Sequence, residues 1–354
     1  MKHFFVINPH SFKSKDGLSK IISEIKSTID VLQATSIAPP TKNEWGGKGG
    51  GEQTPNSELR TPNSKIYISR HPRDAFAAVR RYLLSIPSTE TVRIYAIGGD
   101  GILFDCLNGM IKFPNAELTS VPYGNANDFV RSFGEEAAPF FRDLKKLSVS
   151  PAQPVDVINC GSNFALNEAN VGVVGKTLII ANSILRDTKR KWLGRFTPQI
   201  YSLAAIRAIM KSDVVKQSYK VLIDDEDFSG NYADIHIANT ATDGGAYVPS
   251  PYAKPNDGVL DVVFMKTSSR LEVVSSINDR NKGKFEKRPI FIYKKCKSLS
   301  ITSDSPLSIQ MDGEAFYANE FNINIVPGGV KIFAPEGLSF ADYSYRGYKN
   351  MSSL

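Results

Sequence analysis

Cysteine and histidine are scarce in this chain of 354 residues, which has three cysteines and four histidines. The cysteines lie far apart inside apolar patterns, so we predict core thiols in a reducing compartment and no disulfide framework. The histidines, at positions 3, 10, 71 and 236, are isolated as well. Their spacing matches no zinc-binding motif.

Long hydrophobic runs are missing too. No segment approaches the roughly 18 apolar residues of a transmembrane helix, and the apolar stretch Phe4–Ile7 is too short for a signal peptide. We therefore expect a cytoplasmic protein that touches a membrane only from outside. Lys and Arg exceed Asp and Glu by only 43 to 36. This scattered excess does not argue for a nucleic-acid partner, although it suits an anionic membrane surface.

The length favours two domains, because the chain exceeds the usual size of a single core. In the first part, strand patterns at 4–7, 66–68 and 92–97 alternate with amphipathic helical patterns. This βαβα rhythm predicts an α/β domain with a parallel sheet covered on both faces. Ligands of such sheets bind beyond the carboxyl ends of the strands.

The second part has a different pattern, with short strands of period-2 alternation from about residue 155. A helical region at about 176–211 interrupts them, so we predict a β-sandwich with a helical insertion. The predicted domains are 1–152 and 153–335. Residues 39–65, rich in Pro and Gly and with a duplicated Thr-Pro-Asn-Ser, are interpreted as a flexible insertion in a loop.

The most informative segment is Gly98-Gly99-Asp100-Gly101, between the strand 92–97 and a helical pattern. Glycines at such a junction let backbone N–H groups approach an anion closely. A carboxylate among them would repel phosphate directly. Asp100 is therefore better interpreted as a partner for Mg²⁺ on a phosphate chain.

Three more segments extend this pattern: Asn8-Pro9-His10-Ser11 after the first strand, Pro122-Tyr123-Gly124-Asn125-Ala126-Asn127-Asp128-Phe129, and the late Asp312-Gly313-Glu314. In this order they resemble the catalytic signature of the diacylglycerol kinase superfamily, in particular the soluble bacterial lipid kinases related to diacylglycerol and sphingosine kinases. That signature comprises INPxSG, GGDGT followed by ExxNG, PxGTxNDF and DGE. The stretch from Asn239 to Asp261 also resembles the family.

The resemblance implies an N-terminal α/β domain of NAD kinase/diacylglycerol kinase type, completed by about 336–354, and a C-terminal β-sandwich. It implies ATP and Mg²⁺ as cofactors, a lipid hydroxyl as acceptor and peripheral membrane contact, and it is compatible with a homodimer. The basic cluster around Trp192 suits such a membrane contact. The nucleotide-binding positions that it implies are Asn8, Pro9, His10, Ser11, Ser69, Gly98, Gly99, Asp100, Gly101, Asn108, Gly124, Asn125, Asn127 and Asp128.

The late Asp-Gly-Glu segment carries two carboxylates. Asp312 and Glu314 are two apart at a predicted strand end, so both side chains are expected on one face. One would serve the metal with Asp100, and by resemblance Glu314 is the proton acceptor. The family also implies a second, structural divalent ion held by Asp257 and the backbone carbonyls of Lys254 and Val259.

The chain departs from the family pattern at four positions. Ile102 and Asn125 replace threonines, Asp105 replaces the glutamate of ExxNG, and Phe12 replaces a loop glycine. Losing a charge-assisted donor costs about 1.5–3 kcal/mol. Two alternatives to an active lipid kinase therefore stay open: a catalytically impaired lipid- or nucleotide-binding paralogue and, with a poorer fit to the late segments, an NAD kinase.

Overall fold

The computed structural model describes residues 1–12, 14–36, 60–61, 63–173, 175–177, 180, 204, 207–209, 217–245 and 247–344. The chain forms two compact units. Unit 1 contains residues 1–124, 136–153 and 331–338, and unit 2 contains 125–135, 154–330 and 339–354. The predicted insertion lies outside the described residues except at 60–61 and 63–65. The basic cluster around Trp192 and most of the helical region at 176–211 also lie outside them.

Unit 1 is built on strands with largely buried side chains, and β4 is buried along its whole length. β1 pairs in parallel with β3 on one side and β4 on the other, with Phe5 opposite Ile66 and Tyr95. β4 pairs in parallel with β5, while the short β2 pairs with β3 in antiparallel fashion. The strands are β1 (Lys2–Ile7), β2 (Arg60–Thr61), β3 (Ser64–Ile68), β4 (Val92–Gly98) and β5 (Ala116–Pro122).

Helices of unit 1 follow the strands, as the 3.6-residue patterns predict. In the second of them, Ala75, Ala78, Val79 and Leu83 are buried on one side. A 3-10 turn at Pro9–Ser11 follows β1 directly. The helices are α1 (Lys15–Ser36), α2 (Asp74–Leu84), α3 (Asp100–Met110), α5 (Ala138–Arg142) and α6 (Leu144–Val149), with α4 (Asp128–Arg131) in unit 2.

Unit 2 is built mainly from antiparallel pairs. β11 pairs with β8 and β12, and β14 pairs with β8, β9 and β15, all antiparallel. The elements are β6 (Ala152–Cys160), β7 (Asn163–Ala165), β8 (Glu168–Gly172), β9 (Ser218–Ile223), β10 (Glu226–Asp227), β11 (Gly230–Ala238), β12 (Leu260–Lys266), α7 (Arg270–Asn281), β13 (Phe291–Cys296), β14 (Ser298–Met311) and β15 (Glu314–Phe333).

The strands near the C-terminus are longer than the short ones expected for the second part of the chain. β14 and β15 have 14 and 20 residues, and the end of β15 belongs to unit 1, where Lys331 and Ile332 pair in parallel with β5. Residues 336–354 were expected to complete the first domain. Residues 331–338 group with unit 1, and the described residues after them pack on the segment at 132–133, where Ala341 donates a backbone hydrogen bond to Ser132 and Phe340 packs on Phe133. That segment lies in the predicted domain 1–152, although it groups with unit 2.

The three cysteines, Cys106, Cys160 and Cys296, are buried and free, as expected for core thiols. Burial raises the pKa of Cys160 to about 11, because desolvation disfavours the thiolate. Within the described part of the chain, no helix combines the length and apolar character needed to cross a membrane.

Candidate functional site

In unit 1, the loops after β1, β4 and β5 meet at one edge of the sheet. The backbone N–H of Asn8 donates to Ile97 at 2.9 Å, and that of Gly124 donates to Gly98 at 3.0 Å. Ser69 joins them, since its N–H donates to Ile7 at 2.9 Å. Neighbouring parallel strands end at the same edge of the sheet. The loops that follow these strands therefore lie close together although they are far apart in the sequence.

The glycines in this cluster allow very close packing of backbone. A Cβ at Gly98 would lie 2.9 Å from Cγ2 of Ile102 and 3.1 Å from Oγ of Ser11, and one at Gly99 would lie 3.0 Å from Cα of Gly124. These separations are at or below the tightest that real Cβ atoms show, and Gly98 also has φ of 157°. Glycine is therefore favoured at both positions, and no side chain of residue 99 covers the backbone at the start of α3.

The N-terminus of α3 is the strongest anion-binding feature of unit 1. Gly99 is its N-cap and makes no side-chain capping bond, and Asp100 is the first helical residue. A helix N-terminus carries partial positive charge and N–H groups without intrahelical partners. The sequence-predicted segments Asn8–Ser11, Gly98–Gly101 and Gly124 thus surround a site suited to phosphate.

Two predicted nucleotide-binding residues of this set have other contacts. Asn108 is only 6% exposed, and its side-chain amide donates to the carbonyl of Phe104 within α3. Asn8 accepts a hydrogen bond from the N–H of His10, which fixes the 3-10 turn. Both side chains shape the backbone around the cluster.

The replacement residue Phe12 packs on an aromatic neighbour. Its ring lies 4.8 Å from that of Tyr123, and the guanidinium of Arg142 lies 5.1 Å from the Tyr123 ring centroid on the same unit. Arg142 also donates to the carbonyl of Pro122. Phe12, which stands where the family pattern has a loop glycine, therefore belongs to a stack with Tyr123 and Arg142 beside the glycine cluster.

Asn125, Asn127 and Asp128 belong to unit 2. Asn125 is exposed, and Asn127 adopts a left-handed conformation at the start of α4 with φ of 53°. Both carboxylate oxygens of Asp128 accept backbone hydrogen bonds, from Gly244 at 3.1 Å and Gly245 at 2.7 Å. The carboxylate of Asp128 therefore holds the 244–245 turn, a contact that the sequence did not indicate.

Asp312 occupies a different place from the one predicted. It lies in the two-residue turn between β14 and β15, with φ of 44°, and Gly313 has φ of 89°. Positive φ at both positions is the geometry that Asp-Gly favours in β-hairpins. The expectation that Asp312 and Glu314 sit together on a strand end was wrong, because the turn separates them and only Glu314 begins β15.

The carboxylate of Asp312 is buried and accepts three backbone N–H bonds, from Leu166 at 2.7 Å and from Asn167 and Glu168 at 3.0 Å each. Burial raises its pKa to about 7 although these bonds act in the opposite direction. Asp312 therefore ties the hairpin to the segment before β8. Glu314 is half-buried at the start of β15.

At the predicted second metal site, the carboxylate of Asp257 contacts a lysine. Asp257 lies 3.2 Å from the ammonium of Lys295, which is also 3.3 Å from Asp261, and Asp257 accepts from its neighbour Val259. Lys254 and Asp257 are exposed. One ammonium therefore faces two carboxylates, and the divalent ion held by Asp257 and the carbonyls of Lys254 and Val259 stays a prediction.

Sequence reasoning missed Asp156, which organises the same region. Its carboxylate accepts from the N–H of Gly258 and of Gly328, at 2.7 Å each. Its only signal in the sequence is an acidic residue inside the otherwise apolar run of β6. The Asp-Gly turn after residue 256 is therefore held by Asp156 from within the protein.

A second set of residues that the sequence did not reveal lies in the interior of unit 2. Glu168 and His236 are 6% and 1% exposed, and Arg280 is 1% exposed. Burial and then the charge of Arg280 lower the pKa of His236 to about 3, so this imidazole is neutral. Burial also raises the pKa of Glu168. These residues come from strands β8 and β11 and from helix α7.

Two family models match successive parts of the chain. Residues 2–160 match the diacylglycerol kinase catalytic domain, and residues 180–334 match the YegS C-terminal NAD kinase beta sandwich-like domain. A YegS-like protein of Alcanivorax borkumensis, named a probable lipid kinase, is 25% identical over 73% of this chain and 83% of its own length. Its counterpart in Pseudomonas putida is 29% identical over 69% and 77%.

A solved structure shares the fold. The crystal structure described as a diacylglycerol kinase from Bacillus anthracis superimposes with a TM-score of 0.63 at 17% sequence identity. The match covers 96% of this chain and 98% of that one. At this identity the likeness concerns the fold alone.

Proposed function

Because the chain belongs to the diacylglycerol kinase catalytic-domain superfamily and carries the YegS-type C-terminal domain, we propose that it is an ATP- and Mg²⁺-dependent lipid kinase. It would transfer the γ-phosphate of ATP to the hydroxyl of diacylglycerol or a related lipid. The observation that carries this proposal is the glycine cluster of unit 1, where the loops at Asn8, Gly98 and Gly124 meet at the N-terminus of α3.

The residues of that cluster fit a polyphosphate. Glycine at 98 and 99 leaves backbone N–H groups uncovered, and the helix N-terminus supplies positive potential. Phosphoryl transfer needs mainly positioning and charge stabilisation. In the proposal these backbone groups and the hydroxyl of Ser69 orient the phosphates, and Asp100 holds Mg²⁺, which neutralises charge on the phosphate chain.

Glu314 is proposed as the residue that takes the proton from the attacking hydroxyl. It begins β15 directly after a turn that Asp312 anchors through three backbone hydrogen bonds, so its position is fixed by its neighbour. Asp312 is therefore proposed as a positioning residue, and Asp128 as the residue that holds the turn at 244–245. These roles differ from the nucleotide-binding role that the resemblance implied for Asp128 and from the metal-binding role expected for a carboxylate of the Asp312–Glu314 pair.

The acceptor lipid places the protein at a membrane surface in this proposal. The formal charge of +7 favours attraction to anionic lipid headgroups. We propose reversible peripheral contact, since a phosphorylated product in the same bilayer must be released before the next lipid is bound.

The proposal is tested by incubating the full chain with γ-phosphate-labelled ATP, Mg²⁺ and vesicles of a total lipid extract, with the labelled product identified by mass spectrometry. We expect a labelled phospholipid that depends on both ATP and Mg²⁺. Absence of label from every lipid class, with the protein folded and bound to the vesicles, would contradict it.

An absence of labelled lipid would favour the alternative of a catalytically impaired paralogue. The residues around the glycine cluster offer one argument for it. Cγ2 of Ile102 lines Gly98 where the family pattern has a hydroxyl, and Phe12 stacks on Tyr123 beside the same cluster. A paralogue of this kind would bind lipid or nucleotide without turnover. Equilibrium binding of a fluorescent ATP analogue, measured beside the lipid assay, separates the two functions.

A further inference from the structure

Three potential metal ligands meet inside unit 2, next to the turns that Asp312 and Asp128 hold. Glu168 begins β8, His236 lies in β11 and Asp243 follows β11. Each offers one ligand atom, and these three atoms all lie within 4.8 Å of one another. In the antiparallel register of β8 and β11, Glu168 lies opposite Ala238. His236 is two residues before Ala238 on the same face of β11, so Glu168 and His236 become neighbours although they are 68 positions apart in the sequence.

The cluster is buried and incompletely hydrogen-bonded. Oε1 of Glu168 accepts from Gln310, and Oε2 lies 3.0 Å from Nδ1 of His236, which is also 3.3 Å from the guanidinium of Arg280. Nε2 of His236 has no hydrogen-bond partner among the described residues. A buried polar atom without a partner is costly, and a ligand bound to the imidazole would account for it.

The local charge points to a cation. Glu168 and Asp243 bring two carboxylates, and the neighbouring cation Arg280 lies 3.6 Å from Asp243 and is shared with Asp234 at 3.2 Å. The side chains of Glu168 and Asp243 are hydrogen-bonded to each other, which requires a proton on one of the two carboxylates. A divalent cation at this place would displace that proton and compensate both carboxylates.

We propose that Glu168, His236 and Asp243 form a binding site for a divalent transition-metal ion of the zinc class. One imidazole nitrogen and two carboxylate oxygens are a donor set that such ions accept, whereas Mg²⁺ prefers oxygen alone. The side chain of Asp243 is 20% exposed and gives the ion access from solvent. The site is independent of the kinase proposal.

The test uses the full chain, stripped with a chelator, dialysed and titrated with Co²⁺ in the absence of nucleotide and lipid. We expect one Co²⁺ per chain with a visible d–d absorption band, displaced by Zn²⁺ but not by excess Mg²⁺. His236→Gln and Glu168→Gln should lower the Co²⁺ affinity by at least the roughly 10–100-fold that loss of an outer-shell partner costs.

Two control variants separate this site from other carboxylates and imidazoles. Glu320→Gln alters an exposed carboxylate of β15, and His71→Gln alters an exposed histidine, so both should keep the Co²⁺ band. If the buried variants do not fold, the partly exposed Asp243→Asn replaces them. The proposal is wrong if the stripped native chain takes up no Co²⁺, or if a folded ligand variant binds it as tightly as the native chain.

Discussion

The two units bury different kinds of side chains. The central strand β1 of unit 1 has Phe4, Phe5, Val6 and Ile7 at 0% exposure. Unit 2 buries acidic groups inside or beside its strands, at Asp156, Glu168, Asp234 and Asp312. Unit 1 resembles an ordinary parallel sheet core, whereas unit 2 combines an apolar core with carboxylates that would be expensive without partners.

The difference teaches how each unit positions its functional groups. In unit 1 the proposed phosphate-binding cluster is built from strand ends and a helix N-terminus, so its proposed ligands are backbone N–H groups. In unit 2 carboxylates accept backbone N–H bonds and thereby fix turns: Asp128 holds 244–245, Asp156 holds Gly258 and Gly328, and Asp312 holds 166–168. Substitutions should accordingly affect nucleotide use in unit 1 and stability in unit 2.

Glu314 is an exception to this contrast between the units. It is a carboxylate of unit 2, but its proposed role is chemical and not structural. Glu314→Gln should lower turnover by roughly 10²–10⁴-fold, because the proton acceptor is lost. ATP affinity and the thermal midpoint should stay nearly unchanged. The measurement is steady-state kinetics on the best lipid acceptor, together with thermal unfolding. Glu320→Gln, exposed on the same strand, is the matched control. A variant retaining more than a tenth of the activity would remove Glu314 from the mechanism.

Asp312 tests the stabilising role of buried carboxylates directly. Asp312→Asn should reduce the free energy of unfolding by about 2–4 kcal/mol, because an amide leaves at least one buried N–H donor unmatched. Urea denaturation measures this change. Asp304→Asn, exposed in β14, serves as control and should change stability by less than about 0.5 kcal/mol. Equal effects of the two variants would remove the contrast between the units.

His3 predicts a pH dependence that belongs to unit 1. It is 5% exposed, and burial, with a smaller effect of Arg93, lowers its pKa to about 4. Below about pH 6.5 the imidazole of His3 is protonated in the unfolded chain, whereas in the folded chain it stays neutral until about pH 4. The free energy of unfolding therefore falls as the pH drops from about 6.5 to about 4. His3→Gln should remove up to about 3 kcal/mol of this loss, while the exposed His71→Gln should not. Denaturation at pH 7 and pH 4.5 measures the difference, and an unchanged slope in His3→Gln would contradict the assignment.

Ile102 should give the smallest effect, and it concerns the backbone-built site. Ile102→Thr restores a hydroxyl at the first turn of α3, next to Gly98, with little change in volume. We expect kcat/KM for ATP to rise by roughly three- to thirtyfold. Ile102→Val, which shortens the side chain without adding a donor, is the control. An equal rise in both variants would attribute the gain to space rather than to the hydroxyl.

The sequence predicted the elements that carry the glycine cluster because their signals are local. β1, β4 and α3 follow from runs of apolar residues, and Gly98–Gly101 marks the junction between the last two. The separation of Asp312 from Glu314 was missed because a period-2 argument assumes a continuous strand. An Asp-Gly pair with positive φ makes a turn instead.

The buried polar contacts of unit 2 were beyond sequence reasoning for another reason. Asp156 is isolated in an apolar run, and its partner Gly328 is 172 positions away. Glu168, His236 and Asp243 have no motif spacing, since the register of β8 and β11 alone brings them together. Such contacts depend on which strands pair, and many pairings are compatible with one pattern of alternating residues.

The sequence by itself determined the family, the alternation of strand and helix in the first part, the β-rich second part and the loops that carry glycine and acidic motifs. These features depend on residues close together in the chain, whose geometry is set by local sterics and apolar periodicity. The tertiary structure alone decided that Asp128 and Asp312 bind backbone N–H groups, that Lys295 contacts Asp257, and that Glu168 faces His236. A carboxylate in a sequence has the same chemistry everywhere, and its role is set by the donors and cations that folding places around it.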